Sequence, residues 1–120
     1  VLISDFPLQP GLERAIGALG RRHEVIAVEV RDPRERDLPD VGPVQLRDME
    51  TGRRRLVDTA DPRFRTRFAA EVEATDRARE ALLARAGARH VIAETGRDWV
   101  LPLARTLGRP AGRRAAGLTA

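Results

Sequence analysis

The first thirty residues confine the chain to a narrow set of folds. Residues 1–6 (VLISDF) open with three aliphatic positions in succession, and residues 24–30 (EVIAVEV) are β-branched and nearly all apolar. Runs that are apolar at consecutive positions suit strands covered on both faces. Between them, Pro7-Leu8-Gln9-Pro10-Gly11 is a loop whose prolines stand where a helix can start but not continue. Leu12, Ala15, Ile16 and Leu19 then fall at i, i+3, i+4 and i+7, one apolar face of a helix, with Gly20 as its stop. Strand, helix and strand in this order predict a βαβ unit, parallel and right-handed.

The rest of the chain extends that pattern. Residues 31–43 are proline-rich and charged, a connector. Residues 44–47 and 55–58 alternate about the turn signal Met49-Glu50-Thr51-Gly52, which predicts a small hairpin with a three- to five-residue connection. Asp61 and Pro62 open a long helix as N-cap and first helical residue. Phe64, Phe68, Val72, Thr75, Ala78, Leu82 and Ala86 keep its period, and Gly87 is its C-cap. Residues 90–93 are a third strand, and Thr95-Gly96-Arg97-Asp98 resembles a capping box before a last helix carrying Trp99, Val100, Leu103 and Leu107. The expected fold is α/β: a doubly wound, mostly parallel sheet with an inserted hairpin over residues 1–107, followed by a flexible basic tail over 108–120.

Composition excludes several kinds of function. There is no cysteine, so there is no disulfide framework, thiolate metal site or cysteine nucleophile. All 22 basic residues are arginine, which excludes a lysine Schiff base and a P-loop lysine. The aliphatic stretches are too short to span a bilayer, and a cytoplasmic protein is expected. The net charge of +4 lies entirely in residues 97–120, since residues 1–96 carry 17 arginines against 17 acids. That tail supports an alternative reading as a non-specific nucleic-acid binder, but the aromatics needed for base stacking are sparse. Arg63, Phe64, Arg65, Arg67 and Phe68 read as an amphipathic helix with a solvated face.

Ligands of open parallel sheets gather at the carboxyl ends of the strands. Three polar sets fall there: Ser4 with Asp5, Arg31 with Asp32, and Glu94 and Thr95 with Asp98 nearby. Carboxylates on one rim can hold a hard cation such as Mg²⁺. Each also has a structural alternative: Asp5 capping the turn before Pro7, Asp32 turning into Pro33, Glu94 pairing with an arginine, and Asp98 serving the helix start. Asp5 is the candidate metal ligand. His23 and His90 sit at strand starts, on the opposite rim, and a surface or structural role is expected for them. No nucleophile–base spacing, G-x-S-x-G or G-x-G-x-x-G is present, so no catalytic or cofactor-binding residue is assigned and a non-enzymatic role is expected.

The chain has no initiator methionine and opens inside a strand, so the reading expects a fragment whose upstream part is missing, with the exposed first strand self-associating. Leu2 to Phe6, Arg22 to Glu35, Leu38-Pro39-Asp40-Val41-Gly42, Glu50-Thr51-Gly52 and Val57-Asp58-Thr59 resemble, in order, the C-terminal half of the domain of unknown function 58 family, itself similar to von Willebrand factor type A domains. The resemblance covers roughly residues 1 to 107. It implies a metal-ion-dependent adhesion site built from three loops, of which Asp5 matches the Asp of the third. Phe6 follows it where the family usually has a small residue. The other two loops are not in this chain, so Mg²⁺ is implied for the full-length protein and not for this part alone. A MoxR-type AAA+ ATPase is implied as a protein partner, in a chaperone-like or assembly role.

Overall fold

A computed structural model describes residues 1–48 and 51–108. Its elements run β1 (Leu2–Ser4), α1 (Leu12–Gly20), β2 (Ile26–Arg31), a single 3-10 turn (Pro33–Glu35), β3 (Pro43–Arg47), β4 (Arg54–Asp58), α2 (Pro62–Arg85), β5 (Arg89–Glu94) and α3 (Val100–Leu107). β1, β2 and β5 form a parallel sheet in that order, and β3 with β4 forms a separate antiparallel pair. The chain is therefore α/β with a three-stranded parallel sheet, and its βαβ opening is as the apolar runs predict. The basic tail lies outside the described residues beyond Gly108.

The sheet is covered unequally. On one face, Phe6, Ile16, Val25, Ala27, Leu83 and Ala86 form a core under α1 and α2. On the other, Ile26, Val28 and Val91 pack beneath Leu103 of α3. α3 sits over β5 and leaves the β1 end bare. Val1 and Ile3 are about 70% exposed, and with Val30 and Trp99 they frame an open apolar groove of about 460 Å³. The expectation that VLISDF is covered on both faces is thus corrected: among the described residues β1 is an edge strand with one face buried. Consecutive apolar residues signal two buried faces only where a layer exists to cover each one.

Local chemistry fixes the helix ends. Asp61 Oδ1 accepts the Arg63 N–H at 2.9 Å, with Pro62 as the first helical residue. At the other end, Ala88 N–H bonds to Leu83 O and Gly87 N–H to Ala84 O, a Schellman motif that needs the left-handed φ of 76° at Gly87. α2 is 24 residues long, about 36 Å at the α-helical rise. Its C-terminal half lies on the sheet, and Phe64 and Phe68 in its N-terminal half line a cavity shared with the hairpin residues Leu46 and Val57. Thr59, 1% exposed, ties the connector to this region by donating to Gly42 O (2.8 Å) and accepting from Val41 N–H (3.1 Å).

α1 stops at Gly20 as expected, though without a left-handed cap: a Cβ there would stand 3.4 Å from Ala86 O, so its smallness serves the α1–α2 approach. Two smaller expectations are revised. The hairpin connection runs over residues 48–53, longer than expected, with Met49 and Glu50 of the expected turn outside the described residues. Asp98, and not Thr95, caps α3: its Oδ1 accepts from Val100 N–H (3.0 Å) and Leu101 N–H (3.3 Å).

Candidate functional site

β1 ends on a tight polar loop. Ser4 Oγ accepts the Phe6 N–H at 3.0 Å and donates to Asp5 Oδ1 at 3.2 Å. Ser4, rather than Asp5, therefore makes the turn, and the Asp5 carboxylate stays exposed at the strand end. Phe6 carries φ 46°, and among the described residues it is the one non-glycine residue at positive φ. A side chain in the left-handed region costs about 1–2 kcal/mol. Two contacts hold it there. Its ring is 3% exposed in the core under α1 and α2, and its carbonyl accepts the Arg79 Nε–H at 3.0 Å.

Arg79 belongs to a buried charge network centred on Glu29. Ala27, Glu29 and Arg31 share the α2-facing side of β2 by strand alternation, and Glu29 is only 1% exposed. Its Oε1 accepts from Arg31 Nε (2.6 Å) and Arg79 Nη1 (2.8 Å). Its Oε2 accepts from Arg31 Nη2 (3.0 Å) and faces His90 Nε2 at 2.7 Å. An ionised carboxylate only accepts, so His90 Nε2 carries the proton in that contact. Burial alone raises a carboxyl pKa; here the bonds from His90 and Arg31 and the charges of Arg31 and Arg79 outweigh it and hold Glu29 down at about 2. Asp76 completes the network: Oδ1 accepts from Arg79 Nη1 (3.1 Å), while Oδ2, buried and without a hydrogen bond of its own, is ion-paired with Arg31 (3.3 Å) and Arg36.

A crevice of about 340 Å³ opens beside these groups, between α2 and the connector after β2. Its arginines, Arg31, Arg36 and Arg79, are committed to Glu29 and Asp76. Asp32, Glu35 and Glu71 line it as well. The lining thus carries four carboxylates, counting Asp76, against three arginines that are all paired, and it offers no free cation to an anionic ligand.

The other sequence candidates take their structural alternatives. Asp32 caps the 3-10 turn, its Oδ1 accepting from Arg34 N–H at 3.0 Å. Glu94 pairs with Arg97 at 3.0 Å, and Asp98 caps α3. The structure does not bring these carboxylates to Asp5: among the described residues no group of three or more His, Asp or Glu side chains could hold a metal ion. His90 has the structural role expected of it, and His23 is exposed. Sequence reasoning passed over Glu29, Asp76 and Arg79. The available signal was Glu29 itself, one carboxylate inside an apolar strand, which demands partners wherever the strand is covered. Of the five arginines in residues 97–120, Arg97 is paired with Glu94, Arg105 is exposed on α3, and Arg109, Arg113 and Arg114 lie outside the described residues. Among the described residues no helix is long and apolar enough to cross a membrane.

The family described as "Protein of unknown function DUF58" matches residues 1–81, a span that includes β1, β2 and the hairpin and ends within α2. An uncharacterized protein of Mycobacterium avium is 43% identical over 106 residues, covering 88% of this chain and 62% of the relative. Uncharacterized proteins of Mycobacterium bovis and Mycobacterium tuberculosis are 42% identical over 106 residues, covering 88% of this chain and 33% of each relative. The chain thus spans less than two thirds of the length of these relatives. No solved structure matches it. With the family match covering most of the chain, including the Ser4–Asp5–Phe6 loop and Glu29, the chain belongs to the DUF58 family.

Proposed function

We propose that the chain is a non-catalytic protein-interaction module, the C-terminal part of a von Willebrand A-like domain, with the Asp5 loop as its contact point. The observation that carries this reading is the end of β1, where an exposed carboxylate is presented by a turn fixed on both sides of it. Interaction surfaces gain affinity from such preorganisation. The parallel sheet with helices on both faces and the resemblance to von Willebrand A-like domains support the same reading.

The residues of this chain do not by themselves fit a divalent cation. They supply one carboxylate and one hydroxyl, and the Ser4 hydroxyl is already committed to Asp5 and to the Phe6 amide. Octahedral Mg²⁺ needs more oxygen ligands than that. In this proposal other loops of the full-length protein provide them, and a MoxR-type AAA+ ATPase is the partner that the resemblance supports. The test is Mg²⁺ titration of the full-length protein, followed by binding to its MoxR-type ATPase with and without Mg²⁺. Asp5→Ala is expected to weaken Mg²⁺ binding tenfold or more and to abolish the Mg²⁺-dependent part of ATPase binding. Equal affinities in the two proteins would remove Asp5 from the site.

Self-association through the open edge of β1 belongs to the same proposal, supported by the exposure of Val1 and Ile3. Sedimentation of the 120-residue chain is expected to show a dimer or larger species. A monomer whose β1 amides are protected from exchange would contradict it.

A further inference from the structure

We propose that Arg79 is the positioning residue of the Asp5 loop. This rests on the reading of Asp5 as the contact residue, and it assigns to a side chain 74 positions away the task of holding that contact in shape. A phenylalanine at φ 46° does not keep that conformation unaided, because its Cβ crowds the backbone. The ring anchors one end of the residue in the core. The carbonyl at the other end is fixed by the Nε–H of Arg79 at 3.0 Å.

The guanidinium is itself immobilised. Its Nη1 donates to Glu29 Oε1 at 2.8 Å and to Asp76 Oδ1 at 3.1 Å, and the side chain is 14% exposed. Glu29 in turn is gripped by Arg31 from its own strand and by His90 from β5. A planar fork that binds two carboxylates on one side and a carbonyl on another has a single orientation. The charge network of the sheet interior is thereby linked, through one side chain, to the backbone next to Asp5. Disturbing that link frees the loop without removing Asp5, Ser4 or the Phe6 ring.

Two substitutions in the full-length protein separate the parts of this argument. Arg79→Lys keeps a cation opposite Glu29 but has no Nε–H for the Phe6 carbonyl. Arg79→Gln loses the charge, yet its side-chain amide nitrogen stands the same number of bonds from the backbone as the lost Nε. The carbon chemical shifts of Phe6, which report its backbone dihedral, are expected to leave their left-handed values in Arg79→Lys and to keep them in Arg79→Gln. Amide exchange at Phe6 is expected to quicken about tenfold or more in Arg79→Lys. Ile26→Ala, a buried truncation in the core on the opposite face of the sheet, sets the effect of general destabilisation and is expected to leave the Phe6 shifts in place.

Phe6 signals that stay put in Arg79→Lys, or that move equally in Ile26→Ala, overturn the proposal. Mg²⁺ titration of the same proteins then tests the consequence. Weakened binding in both Asp5→Ala and Arg79→Lys supports it, and binding lost in Asp5→Ala but kept in Arg79→Lys overturns it. Moved Phe6 signals with Mg²⁺ affinity unchanged in both variants remove the ion from Asp5, while the hold of Arg79 on the loop stands.

Discussion

Replacing Glu29 with glutamine is expected to lower the unfolding free energy by about 3–5 kcal/mol, the cost of breaking a buried ion pair from one side. The shape is nearly unchanged, but the charge that compensates Arg31 and Arg79 is gone. One of the two oxygens becomes an amide that presents donors to guanidinium or imidazole donors. The burial of Glu29, at 1% exposure, leaves no water to make up the loss. Urea unfolding of the two proteins measures it. A loss under about 1 kcal/mol would mean that the network contributes little net stability.

The same pair of proteins gives a pH signature. Glu29 has a folded pKa of about 2 against an ordinary value of 4.5. Its carboxylate therefore contributes stability that is fully present above pH 4.5 and is lost as the pH falls towards 2. The depression corresponds to about 3 kcal/mol at neutral pH. Wild type and Glu29→Gln should differ most above pH 4.5 and converge on acidification to pH 2. Subtracting their stability curves removes the other carboxylates, which titrate in both. A difference that stays constant over that window would show that Glu29 does not titrate as the network requires.

Phe6 gives the second large effect, with an unusual sign in its controls. Phe6→Ala should cost about 3–5 kcal/mol, because it empties a buried aromatic position in the core under α1 and α2. Phe6→Gly removes the same ring. Elsewhere glycine is typically 0.5–1 kcal/mol less stable than alanine. Here the backbone sits at φ 46°, where alanine keeps the steric penalty and glycine has none. Phe6→Gly is therefore expected to be as stable as Phe6→Ala, or more stable by about 1 kcal/mol. Denaturant midpoints decide the order. A glycine variant clearly below the alanine variant would mean that the loop carries no strain at Phe6.

Together these expectations say how the loop is built. The ring of Phe6 provides the burial energy, Ser4 provides the local turn, and Arg79 joins the carbonyl to Glu29. Asp5 contributes one contact with its neighbour and remains available. This division resembles that of many binding loops, in which the residue that meets the partner is held by others that do not.

What was legible in the sequence depended on the range of the interaction. The βαβ opening, the hairpin and the long helix follow from patterns within ten to twenty residues, and Asp61, Pro62 and Gly87 mark the helix ends by local backbone chemistry. The inward face of α2 was read less well. Its apolar period passes through Thr75 and Ala78, which are exposed, whereas the positions facing β2 are Asp76 and Arg79. A search for apolar residues passes over a helix face whose task is to meet a buried carboxylate. The contrast at Thr95 and Asp98 is smaller in scale: both residue types suit a cap, and the path of the chain after β5 selected the second.

The sequence by itself determined the order and type of the elements, because strand burial, helix amphipathicity and capping are encoded within a turn or two of each residue. It also determined that a carboxylate stands at the end of the first strand. Only the tertiary structure decided what surrounds that carboxylate. Glu29 stands 50 positions before Arg79 and 61 before His90, yet the three meet across β2, α2 and β5. Buried charge is stable only where every partner arrives at once, and that is settled by packing three elements together, a condition no local pattern records.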